Sequence, residues 1–176
     1  MILEVDNWHL GYSQILVDCR QSGGKCLILC HADVDALAAA RIWTYMLRAD
    51  QLEYTLLPCA TWNALLSNIN SASTSASMYA AIVLINVGVT RNLTKLFGQQ
   101  SLQLGSTKVY VLDGRRPVHL ANVYAEDHVV VFWDPSHGSV DDMPSDGDNL
   151  SGKDDDDDER RHESESSSDD SRVTRN

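Results

Sequence analysis

Short apolar runs alternate with amphipathic segments over the first 133 residues of this 176-residue chain. Five runs have the length and the apolar content of β-strands, at residues 25–30, 53–58, 79–85, 108–112 and 128–133. Segments with apolar side chains at helical spacing lie at residues 8–19, 35–48, 61–69 and 90–97. Most of the strands are apolar throughout, which is typical of a parallel sheet covered on both faces. The pattern therefore predicts an α/β fold with a mostly parallel five-stranded sheet and helices on both faces.

Charge divides the chain into two parts. Residues 1–133 carry nine Lys or Arg and ten Asp or Glu, a net charge of -1, whereas residues 134–176 carry five and fifteen, a net charge of -10. The first part is long enough for one domain, whereas the second has too little apolar content to form a core. We therefore expect a folded domain over 1–133 and a disordered acidic, Ser/Asp-rich tail or linker over 134–176. The tail should repel phosphates rather than bind nucleic acid.

Cysteine usage and hydropathy place the protein inside the cell. The four cysteines form no CxxC pair, and we interpret them as small core residues in a reducing compartment. No stretch reaches the roughly 18 apolar residues of a membrane span, and the N-terminus lacks the pattern of a signal peptide. The sequence thus predicts a soluble intracellular protein that does not bind membranes.

Polar side chains follow three of the predicted strands. His31, Asp33 and Asp35 come after the first strand, Asn86 after the third and Asp113 after the fourth. Because the carboxyl ends of neighbouring parallel strands meet in one crevice, we expect these groups to converge. Carboxylates and imidazole suit Mn²⁺ or Mg²⁺, and a two-metal site activates water for phosphoester cleavage. The cluster therefore points to a divalent metal or to chemistry at this edge of the sheet.

The ligand set is smaller than a two-metal site requires. Asn86 supplies a neutral amide, and Asp113 is the one carboxylate after its strand. Arg115 and Arg116 follow it closely, and a guanidinium cannot lose its proton to bind a metal.

A structural interpretation of the same residues is also open. Asp33 and Asp35 fit a helix N-cap and a first-turn acid, and His31 fits a hydrogen-bonded structural histidine. In that case we expect Arg115 or Arg116 to contact Asp33 or Asp35 and to replace the metal as the compensating charge. The alternative role for the two arginines is phosphate contact with nucleic acid.

Several segments, taken in order, resemble the cell division cycle protein 45 family, a degenerate branch of the DHH phosphoesterase superfamily. They are CHADVDALAAARI after the first strand, then QLEYTLLPCATW, VLINVG and the pattern DxxRPVxxxNVY, with an acidic Ser-rich stretch after them. The resemblance covers about residues 10–170 and implies a DHH-like N-terminal domain. Members of that family are several times longer. We therefore expect this chain to be a fragment, a truncated gene model or a short isoform.

The resemblance also implies a loss of catalysis. In active members of the superfamily the first motif supplies His and two Asp, the second motif Asp, and the third motif Asp-His-His. The second-motif Asp corresponds here to Asn86, and the two histidines of the third motif correspond to Gly114 and Arg115. The other ligand positions keep their residue types, at His31, Asp33, Asp35 and Asp113. The resemblance therefore implies a protein that is not an enzyme and that carries no metal and no cofactor.

By resemblance, the protein is a DNA replication initiation and elongation factor in the nucleus. It would be a non-catalytic scaffold subunit of the replicative helicase assembly at origins and forks. The implied partners are the minichromosome maintenance helicase ring and the GINS complex, with single-stranded DNA and origin chromatin as further ligands.

Two enzyme classes stay open as alternatives. An active Mn-dependent DHH-type phosphoesterase or single-strand nuclease would need His119 and His128 to replace the missing ligands. A phosphatase with an Asp nucleophile would need a later Lys and a further acidic pair at strand ends; it is disfavoured because Lys108 stands at the start of its strand and no such pair follows.

Overall fold

The structure, a computed structural model, describes residues 1–73, 78–99, 107–125 and 128–139. Its strands are β1 (Ile2–Glu4), β2 (Lys25–His31), β3 (Tyr54–Cys59), β4 (Tyr79–Ile85), β5 (Lys108–Leu112) and β6 (Val129–Trp133). Its helices are α1 (Trp8–Ser22), α2 (Val34–Ala49), α3 (Trp62–Ser73), α4 (Leu93–Gln99) and α5 (Leu120–Val123). Single turns of 3-10 helix lie at Val5–Asn7 and Pro135–His137.

The strands form one parallel sheet in the order β1-β6-β5-β4-β2-β3. The predicted fold class is confirmed, but the described residues contain six strands rather than the predicted five. The additional strand is β1, whose Leu3 pairs with Phe132 of β6. Three residues are too few to give a recognisable apolar run. The strand is anchored by the ammonium group of Met1, which donates to the backbone oxygens of Ala125 at 2.9 Å and Val129 at 2.7 Å.

Side chains on the two faces of the sheet form two apolar clusters. Leu27 and Leu29 of β2 belong to the cluster with α3 and α4, whereas Ile28 belongs to the cluster with α1 and α2. The strands are therefore apolar throughout because helices cover both faces, as predicted. Gly11 lets α1 approach the sheet closely, since a Cβ at this position would lie 2.7 Å from Cζ of Phe132.

Helix α2 occurs where the spacing predicts it, but the stripe that faces the sheet was not identified. The side chains that pack inward are Ala36, Ala40, Trp43 and Leu47. Of the apolar residues at helical spacing, Leu47 is buried, whereas Leu37, Ile42 and Tyr45 are 56%, 61% and 75% exposed. Both stripes have helical spacing, so periodicity predicts the helix without showing which stripe is buried.

The boundaries of α3 and α4 differ in part from the prediction. Thr61 caps the N-terminus of α3, because its Oγ1 accepts from the backbone N–H of Ala64 at 3.2 Å. The helix continues to Ser73, four residues beyond the end of the predicted helical segment 61–69. Helix α4 begins at Leu93 rather than at Thr90, because a hydrogen-bonded turn precedes it. The short helix α5 was not predicted.

The four cysteines are buried and free. This placement agrees with their interpretation as small core residues. Burial raises the pKa of the Cys19 thiol to about 11, so this thiol stays protonated at neutral pH.

The predicted acidic tail falls almost entirely on residues 140–176, which lie outside the described residues. Its disorder therefore stays a prediction. Within the part of the chain that the structure describes, no helix has the length and the apolar character needed to cross a membrane.

Candidate functional site

The strand order places a crevice between the ends of β2 and β4. The chain runs from β2 to β3 on one side and then to β4 on the other, and α/β sheets bind ligands at such a switch point. Asn86 Nδ2 donates to Asp33 Oδ1 across this crevice at 3.2 Å. The Asn86 backbone N–H donates to the oxygen of Leu112, the last residue of β5, at 2.8 Å. The ends of three strands are thus tied together, as the sequence predicts.

Asp33 is the N-cap of α2. Its Oδ1 accepts from the backbone N–H of Ala36 at 2.7 Å, and its Oδ2 lies 2.8 Å from His31 Nδ1. These bonds, first that from Ala36 and then those from Asn86 and His31, hold the pKa of the Asp33 carboxyl below its usual value. Asp35 lies one residue into the first turn of α2 and is exposed. Both acids therefore have the structural roles that the motif allowed.

Asp113 is buried, and its carboxylate accepts hydrogen bonds from Arg115 and Val89 rather than from residues that follow β2. Its Oδ1 accepts from the backbone N–H of Arg115 at 2.9 Å and from the Nε–H of the same residue at 3.1 Å. Its Oδ2 accepts from the backbone N–H of Val89 at 3.4 Å. The Asp113 side chain is 1% exposed, whereas that of Arg115 is 47% exposed.

The prediction that Arg115 or Arg116 contacts Asp33 or Asp35 is wrong. Arg115 folds back onto Asp113, two residues before it, because its backbone and side-chain donors reach the same oxygen. Asp33 already accepts hydrogen bonds from its own helix and from across the crevice.

Arg116 is held by backbone oxygens and by an aromatic ring. Its Nη1 donates to the oxygens of Asp113 at 3.1 Å and Arg115 at 2.7 Å, and its guanidinium carbon lies 4.4 Å from the centroid of the Trp133 ring. Its Nε–H is buried and has no hydrogen-bond partner. Burial lowers the pKa of Arg116 from its ordinary value, although a guanidinium stays charged in proteins.

Two pockets flank the strand ends and differ in charge. We call the first, of about 300 Å³, the acidic crevice; its polar lining residues are Asp35, Asn86, Asp113, Arg116 and Asp134. We call the second, of about 240 Å³, the basic pocket; its polar lining residues are His31, Thr61, Thr90, Arg91 and Arg115. The predicted site residues are thus brought to one edge of the sheet, but they do not share one pocket: Asp35, Asn86, Asp113 and Arg116 line the acidic crevice, His31 and Arg115 line the basic pocket, and Asp33 lines neither.

The donor set does not fit the metal centre of an active DHH phosphoesterase. Asp33 and Asp113 accept hydrogen bonds at both carboxylate oxygens, and Arg115 adds a positive charge directly on Asp113. Asn86 presents its amide N–H₂, a donor that cannot bind a cation, to Asp33. Among the described residues no three His, Cys, Asp or Glu side chains form a group suited to a metal ion.

Sequence reasoning missed Asn122, which is fully buried in α5. Its Oδ1 accepts from the Leu93 N–H at 2.9 Å, and its Nδ2 donates to the oxygens of Val89 at 3.0 Å and Arg91 at 2.8 Å. These bonds fix the loop between β4 and α4, which presents Arg91 to the basic pocket. The available signal was one amide in an otherwise apolar stretch, Leu120–Val123.

The comparisons with known proteins find a family and several curated relatives. The family model described as CDC45 matches residues 26–176. The Cell division control protein 45 homolog of Dictyostelium discoideum is 26% identical over 143 residues, which are 81% of this chain and 22% of that protein. The human homolog is 28% identical over 105 residues, 60% of this chain and 17% of that protein. Protein TSD2 of Mycosarcoma maydis is 29% identical over 141 residues, 70% of this chain and 16% of that protein.

A solved structure shares the fold. The crystal structure of CDC45 from Entamoeba histolytica matches 79% of this chain and 26% of that chain, with a TM-score of 0.66 and 16% sequence identity. The chain thus spans about a quarter of that structure and about a fifth of the Dictyostelium relative.

Proposed function

The chain belongs to the CDC45 family, as its motifs predicted, and we propose that it is a non-catalytic DNA replication factor. In this proposal it is a scaffold subunit of the replicative helicase assembly in the nucleus, at origins and forks. It joins the minichromosome maintenance helicase ring to the GINS complex. The name of its relatives, cell division control protein 45, supports a role in the cell cycle.

One observation carries the non-catalytic part of the proposal. The guanidinium of Arg115 pairs with Asp113 at 3.1 Å, so a fixed cation lies on the carboxylate that an active relative would offer to a metal. An arginine keeps its proton at any physiological pH and cannot generate a metal-bound nucleophile. The Arg115–Asp113 pair therefore favours a structural role for this site over metal-dependent hydrolysis.

The alternative, an active Mn-dependent phosphoesterase or single-strand nuclease, requires substitutes for the missing ligands. His119 uses its ring Nδ1 to accept from the Ala121 N–H at 3.1 Å, where it caps α5. His128 immediately precedes β6, at the edge of the sheet opposite the strand ends that form the crevice. Both placements support the scaffold over the enzyme.

The contribution of this chain to the assembly is a rigid α/β surface. In this proposal ATP hydrolysis belongs to partner proteins, and this chain spans 16% to 22% of the curated relatives named above. The acidic tail carries most of the net charge of -11 and opposes binding of nucleic acid along that segment. Any contact with single-stranded DNA is therefore assigned to the folded domain.

We expect the purified chain to lack Mn²⁺-dependent nuclease activity. End-labelled single-stranded DNA incubated with the chain and Mn²⁺ should be degraded no faster than with the Asp33→Ala variant, because the crevice holds its acids with internal donors. Gel electrophoresis of the labelled DNA measures the rate. Digestion by the unaltered chain that the Asp33→Ala variant abolishes would restore the enzyme hypothesis.

We also expect the immobilised chain to retain the purified minichromosome maintenance ring and GINS complex at physiological salt. Retention should require both partners together, because a scaffold that joins two bodies gains affinity from simultaneous contacts. Immunoblotting of the bound fraction measures it. If the folded chain fails to retain the two partners when they are supplied together, the scaffold proposal is contradicted and the family assignment is unaffected.

A further inference from the structure

The basic pocket concentrates positive charge in a chain that is otherwise acidic. It opens at the carboxyl ends of β2, β3 and β4 and has a volume of about 240 Å³. Arg91, Arg115 and His31 line it together with the hydroxyl groups of Thr61 and Thr90, and none of its lining residues is acidic. Guanidinium, imidazole and hydroxyl donors around one small cavity are the groups that proteins use for a phosphate.

The two guanidinium groups have donors to offer. Arg91 is exposed, and no carboxylate among the described residues pairs with it; its guanidinium carbon lies 5.5 Å from the centroid of the Trp62 ring, which holds the side chain in place. Arg115 uses only its Nε–H on Asp113, and its Nη groups make no hydrogen bond within the described part of the chain. A guanidinium presents its donors in a planar fork that matches two phosphate oxygens.

We propose that the basic pocket binds one phosphate monoester, a phosphoserine or phosphothreonine in a segment of a partner protein that has few acidic neighbours. A monoester carries a charge close to -2 and three acceptor oxygens at neutral pH, which suits two arginines and neighbouring hydroxyl groups. The proposal goes beyond the scaffold function, since it describes a contact that a protein kinase switches on.

The surroundings of the pocket favour a single phosphate over a nucleic acid. A nucleic-acid strand places a row of phosphates along a basic stripe. Here the acidic crevice, with Asp35, Asp113 and Asp134, lies beside the pocket at the same edge of the sheet. Trp62 is half-buried and lies beside the Arg91 guanidinium, so it is not an open platform for base stacking.

The test uses the full chain and a short glycine-rich peptide with one central serine, either phosphorylated or not. Titration followed by NMR or fluorescence anisotropy should show that the phosphate raises the affinity about tenfold or more. Arg91→Gln should remove most of that gain, because it deletes one fork without touching the Asp113 pair. Arg41→Gln, on the exposed side of α2, is the matched control and should leave binding unchanged.

Two further titrations distinguish a phosphopeptide with few acidic residues from other ligands that carry phosphate. An oligothymidylate with the same charge as the phosphopeptide should bind more weakly. A phosphorylated peptide of residues 141–149 should also bind more weakly, because its four aspartates would face the acidic crevice. Equal binding of the phosphorylated and plain peptides, unchanged binding by Arg91→Gln, or tighter binding of the oligothymidylate would each overturn the proposal.

The Arg115→Gln variant is a second test that keeps an amide donor near Asp113. It should also lower the affinity for the phosphopeptide about tenfold. Its thermal unfolding is measured first; if the variant does not fold, the comparison of Arg91→Gln with Arg41→Gln decides the proposal by itself.

Discussion

The Asn122→Ala variant is expected to lose about 3 kcal/mol of the free energy of unfolding. The Asn122 side chain is fully buried and makes two hydrogen bonds to the loop between β4 and α4 and one to Leu93, the first residue of α4. The truncation leaves the buried N–H of Leu93 and the oxygen of Arg91 without these bonds, and each such loss costs about 1–3 kcal/mol. The oxygen of Val89 keeps a second donor, the His119 N–H at 2.9 Å, which limits its share of the loss.

Urea denaturation followed by circular dichroism measures this loss as a lower midpoint at an unchanged slope. Asn70→Ala is the matched control, because Asn70 is exposed on α3 and its truncation should change the free energy of unfolding by no more than about 0.5 kcal/mol. Equal midpoints for the two variants would show that the bonds of Asn122 do not hold the loop.

The sheet was predictable because burial on both faces leaves a signal in consecutive residues. Strand β4 is recognisable from Tyr79–Ile85 alone, since every residue in it is apolar. Strand β1 was missed because its three residues depend on a partner, β6, that lies more than 120 positions away along the chain. The buried stripe of α2 is not distinguishable in the same way, since buried Ala36, Ala40, Trp43 and Leu47 and exposed apolar residues such as Leu37 and Ile42 both recur at helical spacing.

Those parts of the candidate site that depend on residues close together in the sequence were predictable. Asp33 caps the helix that begins one residue later, and Ala36 stands at the position that the cap requires. The partner of Arg115 was not predictable in this way, because it depends on how the chain turns after β5. The basic pocket combines Arg91 with Arg115 from separate loops, and only the sheet order brings those loops together.

Metal binding should be obtainable at this site by introducing the ligand types that the resemblance to the DHH superfamily assigns to its active members. The variant carries Asn86→Asp, Gly114→His and Arg115→His together. The first change replaces an amide donor 3.2 Å from Asp33 with a carboxylate, and the last removes the cation from Asp113. A Cβ at Gly114 would meet no heavy atom within 4 Å, so a side chain can begin there without a clash. Asn86 has φ of +49°, a left-handed conformation that Asp also tolerates.

We expect Mn²⁺ binding to change from undetectable in the unaltered chain to stoichiometric in this variant, measured by isothermal titration calorimetry. Without metal the variant should unfold at a lower temperature than the unaltered chain, because carboxylates then crowd the crevice without a compensating cation. At a Mn²⁺ concentration about 100 times the dissociation constant, binding adds about 2.7 kcal/mol to the free energy of unfolding. The same variant with Asp33→Ala in addition is the control and should lose this response. A melting temperature that Mn²⁺ leaves unchanged would show that the crevice has lost the metal geometry itself, and not only the ligand types at residues 86, 114 and 115.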